Sequence, residues 1–170
     1  MTTLAIFDDK ETRTQRQARD KFAPIPDVWD LFHTNVAKHY HPGQNITFDE
    51  QLVPCRGRCS FIQYTPSNPG KYGIKIFSAC DSESKYPLRG SPYLGKEHTG
   101  PRPAPENKAV GSNNVQKLTQ YFKGCGRNIT CDKFFFTSLD LAEVLVKDNL
   151  TMVGTVRWNK TFLPVNFQEK

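Results

Sequence analysis

One stretch constrains the fold more than any other: Ile46-Thr-Phe-Asp-Glu-Gln-Leu-Val-Pro54. Ile46, Phe48 and Leu52 alternate with Thr47, Asp49, Gln51 and Val53, the two-residue period of a strand. Asp is a poor strand former, because its carboxylate competes for backbone hydrogen bonds and resists burial. An acid in the middle of such a strand therefore points to a task. A second acid has a matching setting: Asn128-Ile-Thr-Cys-Asp132 reads as a short apolar strand ending in Asp132, followed by Lys-Phe-Phe-Phe-Thr-Ser138 and a helix. Two strand-borne carboxylates offer the hard oxygen ligands that a divalent cation prefers, so Asp49 and Asp132 are the candidate metal site.

The rest of the chain arranges itself around these two strands. Residues 8–21 are charged and helix-permissive, with Arg13, Arg16, Arg19 and Lys21 on a basic surface that reads as a solvated face or a phosphate-contacting arm. Pro26 suits a helix first turn, and Val28, Trp29, Phe32 and Val36 fall on one side at helical spacing, which predicts an amphipathic helix over 26–40. After the Asp49 strand, Phe61–Tyr64 is a short strand, Thr65-Pro-Ser-Asn-Pro-Gly70 a turn, and Tyr72–Cys80 a strong strand. A weaker strand falls within 85–95, a Pro/Gly-rich loop over 96–111, and a short helix around Val115–Phe122. Thr137 or Ser138 caps a helix, and Leu150–Arg157 is the last strand. Meander strands followed by two parallel crossover strands describe an α/β, ribonuclease-H-like mixed sheet with an N-terminal helical segment. In that topology the first strand is central and the fourth lies beside it, parallel, which brings Asp49 to Asp132.

Other clusters carry less. Cys55 and Cys59 have the C-x3-C spacing of a zinc half-site but no convincing second half, and His39 and His41 flank a single residue in a loop. Glu50 adjoins Asp49 but belongs to the opposite sheet face, and Asp81, at a strand end, is a lesser ligand candidate. The five cysteines, with no secretory signal, read as reduced thiols, which predicts a protein of the nucleus or cytoplasm rather than a secreted one. No apolar run is long enough to span a membrane. The net charge of +6 favours an anionic partner, nucleic acid first. Arg56, Arg58, Lys71 and Lys75 lie in the strand block and are the candidate DNA contacts.

At this point the residues resemble a known family. FDDK-x-TR, DKFAPI, PGQNITFDEQLVPCRGRC, YTPSNPGKYGIKIF, NITCDKFFFTSLDLAEVL and MVGTVRWNK are similar, block after block and in order, to the piggyBac family of DNA transposases and their transposable-element-derived relatives. The resemblance runs from about Phe7 to about Pro164. It implies a DDE-type catalytic core, two divalent metal ions (Mg2+ or Mn2+) and cut-and-paste transposition at TTAA targets. Asp49 and Asp132 fall where the family has its first two catalytic acids. The third lies further along in the family, as does the closing helix, and neither has a counterpart in these residues. The expectation is therefore a partial catalytic domain over 46–164, behind an N-terminal helical segment over 1–45 and before a tail over 165–170. Such a core holds its metal weakly, binds transposon ends and TTAA target DNA, is inactive alone, and offers an open sheet face to a second copy or a partner. The alternative is a non-catalytic, transposon-derived DNA-binding or protein-interaction protein.

Overall fold

A computed structural model describes residues 8–23, 25–95, 114–132, 137–158, 160–164 and 166. The loop expected over 96–111, the phenylalanines that follow Asp132, and nearly all of the tail expected over 165–170 lie outside the described residues. The architecture is mixed α/β, with a six-stranded sheet. The strands are β1 (Asn45–Pro54), β2 (Gln63–Tyr64), β3 (Tyr72–Asp81), β4 (Pro87–Pro92), β5 (Asn128–Cys131) and β6 (Thr151–Gly154). Their order is β2-β3-β1-β5-β6, with β4 also pairing β3.

The sheet directions follow from the ladder. Ser82 N–H donates to Asn45 O at 3.0 Å, while Cys55 N–H reaches Tyr72 O at 3.4 Å, so the start of β1 meets the end of β3 and the pair is antiparallel. β1 and β5 are parallel in the register Asn45↔Asn128, Ile46↔Ile129, Thr47↔Thr130 and Phe48↔Cys131. β5 and β6 are parallel too, from Asn128↔Thr151 to Cys131↔Gly154. The meander followed by parallel crossovers is the ribonuclease-H-like arrangement the element order implied.

The chain divides into two compact units. The first gathers residues 1–41, 50–76 and 92–99. It contains α1 (Arg13–Arg19) and α2 (Pro26–His39). The basic residues expected on a solvated surface of α1 are partly turned inward. Arg16 donates to Asp8 Oδ1 at 2.6 Å, to Ala23 O at 2.7 Å and to Asp9 O at 2.8 Å, and Arg13 forms an ion pair with Asp8. These guanidiniums, the Arg16 hydrogen bond first, hold Asp8 below the usual carboxylate range. The FDDK-x-TR motif is thus a pin that ties the chain before α1 to the chain after it.

On α2 the expected inward stripe is shifted. Val36 is buried, but so is His33, while Phe32 is 46% exposed. Trp29 packs edge-on against Phe22 (centroids 5.8 Å apart) and against His33 (4.8 Å), so the core side of this helix is an aromatic cluster that takes an imidazole where the helical pattern placed Phe32.

The second unit gathers residues 42–49, 77–91 and 100–170. Its core is the face of β1 and β5 that carries Ile46, Phe48, Ile129 and Cys131, together with Phe77, Ala79, Leu88, Val115, Leu118 and Phe122. Residues 114–119 form α3, continued by a 3-10 turn at Gln120–Phe122. α4 (Leu139–Lys147) begins at Ser138, whose hydroxyl accepts from Leu141 N–H at 3.2 Å, and packs on β6 with Leu141 and Leu145 buried. β6 is shorter than the strand expected over Leu150–Arg157. A Cβ at Gly154 would run into the Thr137 hydroxyl and Cys131 O, so glycine is what lets this end of β6 lie so close. Among the described residues, no helix is long and apolar enough to cross a membrane.

Candidate active site

The parallel register places the two acids. Phe48↔Cys131 is the last paired couple of β1 and β5, and Asp49 and Asp132 are the next residue on each chain. Neighbouring strands lie about 4.8 Å apart. Side chains alternate along a strand, so Asp49 and Asp132 share the face of Thr47 and Thr130, opposite the buried Ile46, Phe48, Ile129 and Cys131. Both acids are solvent-exposed. Hydrophobic alternation fixes which face turns inward, and the parallel register then puts two carboxylates side by side at the carboxyl end of β5.

The surroundings of the pair come from three more elements. Thr155, just past β6, donates its hydroxyl to Asp132 Oδ1 at 3.4 Å, and Thr137, just before α4, donates to Asp132 O at 3.3 Å. Cys80 on β3 lies within electrostatic reach of Asp49; burial first, then that carboxylate, pushes its thiol up from its ordinary value. The Cys131 thiol, buried below Asp132, is pushed up to about 12 by burial alone. The two threonines were missed from sequence. The available signal was their position at the first turn beyond a strand and before a helix, in register with Asp132.

Asp81, the lesser ligand candidate, has another role. Its Oδ1 accepts from Glu83 N–H (3.0 Å), Ser84 N–H (2.9 Å) and the Ser84 hydroxyl (3.0 Å), and its Oδ2 accepts from Gly43 N–H (2.7 Å). It is 2% exposed, and these donors, the Ser84 amide first, lower its pKa to about 2. Its lone pairs close the β3–β4 turn and hold the approach to β1.

The expected DNA contacts divide. Arg56, Arg58 and Lys71 are exposed. Lys75 is instead half-buried and its ammonium pairs with Glu50 Oε2 at 2.6 Å, so its charge already has an internal partner. Glu50, on the face opposite Asp49, serves that pair. Among the described residues no group of three or more His, Cys, Asp or Glu side chains is arranged to hold a metal ion. The donor set at Asp49 and Asp132 is nonetheless of the type hard cations take: two carboxylates, solvent-accessible, on adjacent strands.

A mixed sheet of this topology, with one acid inside the central strand and another just past the parallel strand beside it, has the ribonuclease-H-like arrangement. The family model described as Transposase IS4, a piggyBac-type transposase family, matches residues 4–170. A cryo-EM structure of a piggyBac transposase synaptic complex with hairpin DNA is 43% identical to this chain, with a TM-score of 0.82 over 96% of it. The chain spans 33% of the length of that solved transposase. The chain belongs to the piggyBac-type transposase family.

Proposed function

We propose that this chain is the catalytic-core segment of a piggyBac-like transposase, related to metal-dependent DNA cleavage and strand transfer at TTAA sites, and inactive on its own. The observation that carries the reading is the β1–β5 register, which sets Asp49 beside Asp132 at the carboxyl end of β5. In this reading both carboxylates hold divalent metal, Mg2+ or Mn2+. The metal, when bound, supplies charge relief at the scissile phosphate and lowers the pKa of an attacking hydroxyl. Asp49, held within β1, fixes the position of one ligand oxygen; Asp132, oriented by Thr155, supplies the other. With two protein carboxylates, the remaining ligand positions fall to water and substrate phosphate, which predicts weak occupancy.

Arg56, Arg58 and Lys71 take the DNA backbone, contacts that position a duplex without reading its sequence. DNA as partner is supported by the solved relative, which is described in complex with hairpin DNA. Work on such DNA belongs in the nucleus. Val153, in register with Thr130 on the sheet face that carries Asp49 and Asp132, is 59% exposed, and in this reading a second copy or a partner covers that open face.

The test incubates the 170-residue polypeptide with Mg2+ or Mn2+ and DNA bearing family-type terminal repeats and TTAA flanks. The expected result is DNA binding that divalent metal strengthens, a gain that Asp49→Ala and Asp132→Ala abolish while basal binding remains, without cleavage. Cleavage abolished by both substitutions would keep the site and overturn the inactivity. Metal-independent binding, untouched by either substitution, would overturn the site.

A further inference from the structure

Asp132 is held at both of its ends. The Thr155 hydroxyl donates to Oδ1 of its carboxylate at 3.4 Å, and the Thr137 hydroxyl donates to its backbone O at 3.3 Å. The donors come from different elements, one just past β6 and the other just before α4. Their placement is tightly set. A Cβ on Gly154 would run into the Thr137 hydroxyl and would lie 2.8 Å from Cys131 O, so that hydroxyl, the glycine and the end of β5 share one close corner. The β5–β6 register ends at Cys131↔Gly154, and Asp132 and Thr155 are the next residues on the two chains. The Thr155 bond is exposed and long for a hydroxyl on a carboxylate, so it contributes little stability. Its effect falls on the way the carboxylate turns.

That orientation matters for the choice of ion. Carboxylate and water oxygens suit Mg2+, Mn2+ and Ca2+ alike, so an acid pair does not by itself select among them. The ions differ in what they ask of each carboxylate. Ca2+ takes about six to eight oxygens in flexible geometry and readily accepts both oxygens of one carboxylate. Mg2+ demands a near-ideal octahedron and keeps several of its waters. We infer that Thr155 is a positioning residue that sets the cation preference of the acid pair. By engaging Oδ1 it makes Asp132 meet a cation through a single oxygen, which favours Mg2+ and Mn2+ over Ca2+. The inference rests on the metal-binding reading above and adds to it the residue that decides which ion is taken.

The experiment measures binding of Mn2+ alone to the 170-residue chain by electron paramagnetic resonance, and of Ca2+ by competition with Mn2+. Thr155→Val removes the donor and keeps the branched shape, Thr155→Ala removes both, and Thr155→Ser keeps the donor. Thermal melts in chelator check that each variant is folded. The expected result is that Thr155→Val and Thr155→Ala weaken Mn2+ binding about 10-fold, the low end for loss of an outer hydrogen bond to a metal ligand. Ca2+ binding by the same variants changes less than about twofold or tightens, and Thr155→Ser retains the wild-type affinity for both ions. Equal losses for Mn2+ and Ca2+, no loss for either, a Ser variant that behaves like the Val variant, or a wild type that binds both ions equally overturns the inference. Each of those results leaves the acid pair as a metal site. A wild type that binds neither ion, or whose Mn2+ binding survives Asp132→Ala, overturns both.

Discussion

Gly43 N–H donates to Asp81 Oδ2 at 2.7 Å, joining the loop before β1 to the end of β3. The same carboxylate closes its own turn through Glu83 and Ser84. Because its folded pKa, about 2, lies below the ordinary 3.8, its contribution to stability is fully present above about pH 4 and is lost as pH falls through 2. Acid titration followed by circular dichroism should show a loss of stability between those limits that Asp81→Asn removes. At neutral pH the same variant is less stable than the wild type, because a carboxamide cannot accept from Ser84 and from Gly43 at once without turning its own N–H groups on one of them.

The acid pair should cost stability when no cation is present. Two exposed carboxylates on adjacent strands repel by about 0.5–1 kcal/mol in water. Asp49→Asn or Asp132→Asn should therefore raise the melting temperature in chelator slightly, and should abolish the further rise that Mg2+ or Mn2+ gives the wild type. Thermal melts with and without divalent cation check both signs. A variant that melts lower in chelator and keeps the metal-induced rise contradicts the placement.

The basic residues separate by role. Replacing Arg56 and Arg58 by Ala should weaken DNA binding alike for all sequences. It should also flatten the slope of log affinity against log salt by about 2, close to one unit per lost phosphate contact. Lys75→Ala should behave otherwise. It removes the partner of a half-buried Glu50, so fold stability falls by about 1 kcal/mol while the salt slope stays near the wild-type value. Affinity measured over a salt series, beside chemical denaturation, separates the two.

Gly73 stands opposite the backbone of Val53, where an added Cβ would meet the Val53 carbonyl. Gly73→Ala should force the β1–β3 pairing apart locally and lower stability by about 1–3 kcal/mol, the range for overpacking a close contact. Gly124, with open space around its Cβ position but a left-handed φ of 73°, is the control in the opposite sense, strained by conformation rather than by contact. Denaturant midpoints for the two Ala variants provide the comparison.

What the sequence disclosed follows from which signals are local. The alternation of Ile46 and Phe48, and the clustering of Ile74, Ile76, Phe77 and Ala79, specify strands without help from distant residues. Strand order is not local. The pairing of β1 with β5 came from the succession of elements and from the family resemblance, and the register confirms it. Asp81 was legible only as an acid at a strand end, since the donor that distinguishes a structural carboxylate from a ligand comes from Gly43, far away in sequence. The same holds for Lys75, whose partner Glu50 sits on another strand. Helical spacing placed Phe32 inward, but in the aromatic cluster around Trp29 it is His33 that is buried while Phe32 packs from the exposed side, a choice that belongs to tertiary packing.

The two acids are held differently, and that asymmetry has a consequence for how the site tolerates change. Asp49 lies inside β1, with strand on both sides of it, whereas Asp132 is one residue past the end of β5. The first behaves as an anvil and the second as an adjustable jaw, trimmed by the Thr155 hydroxyl. At position 132, where no strand ladder fixes the residue and the Thr137 hydroxyl ties its carbonyl, a carboxylate lengthened by one methylene should meet less resistance to local adjustment. At position 49 the ladder forbids that adjustment, and the displaced oxygen stays displaced. Over many generations of sequence drift, position 132 is therefore the one at which an Asp-to-Glu exchange is forgiven.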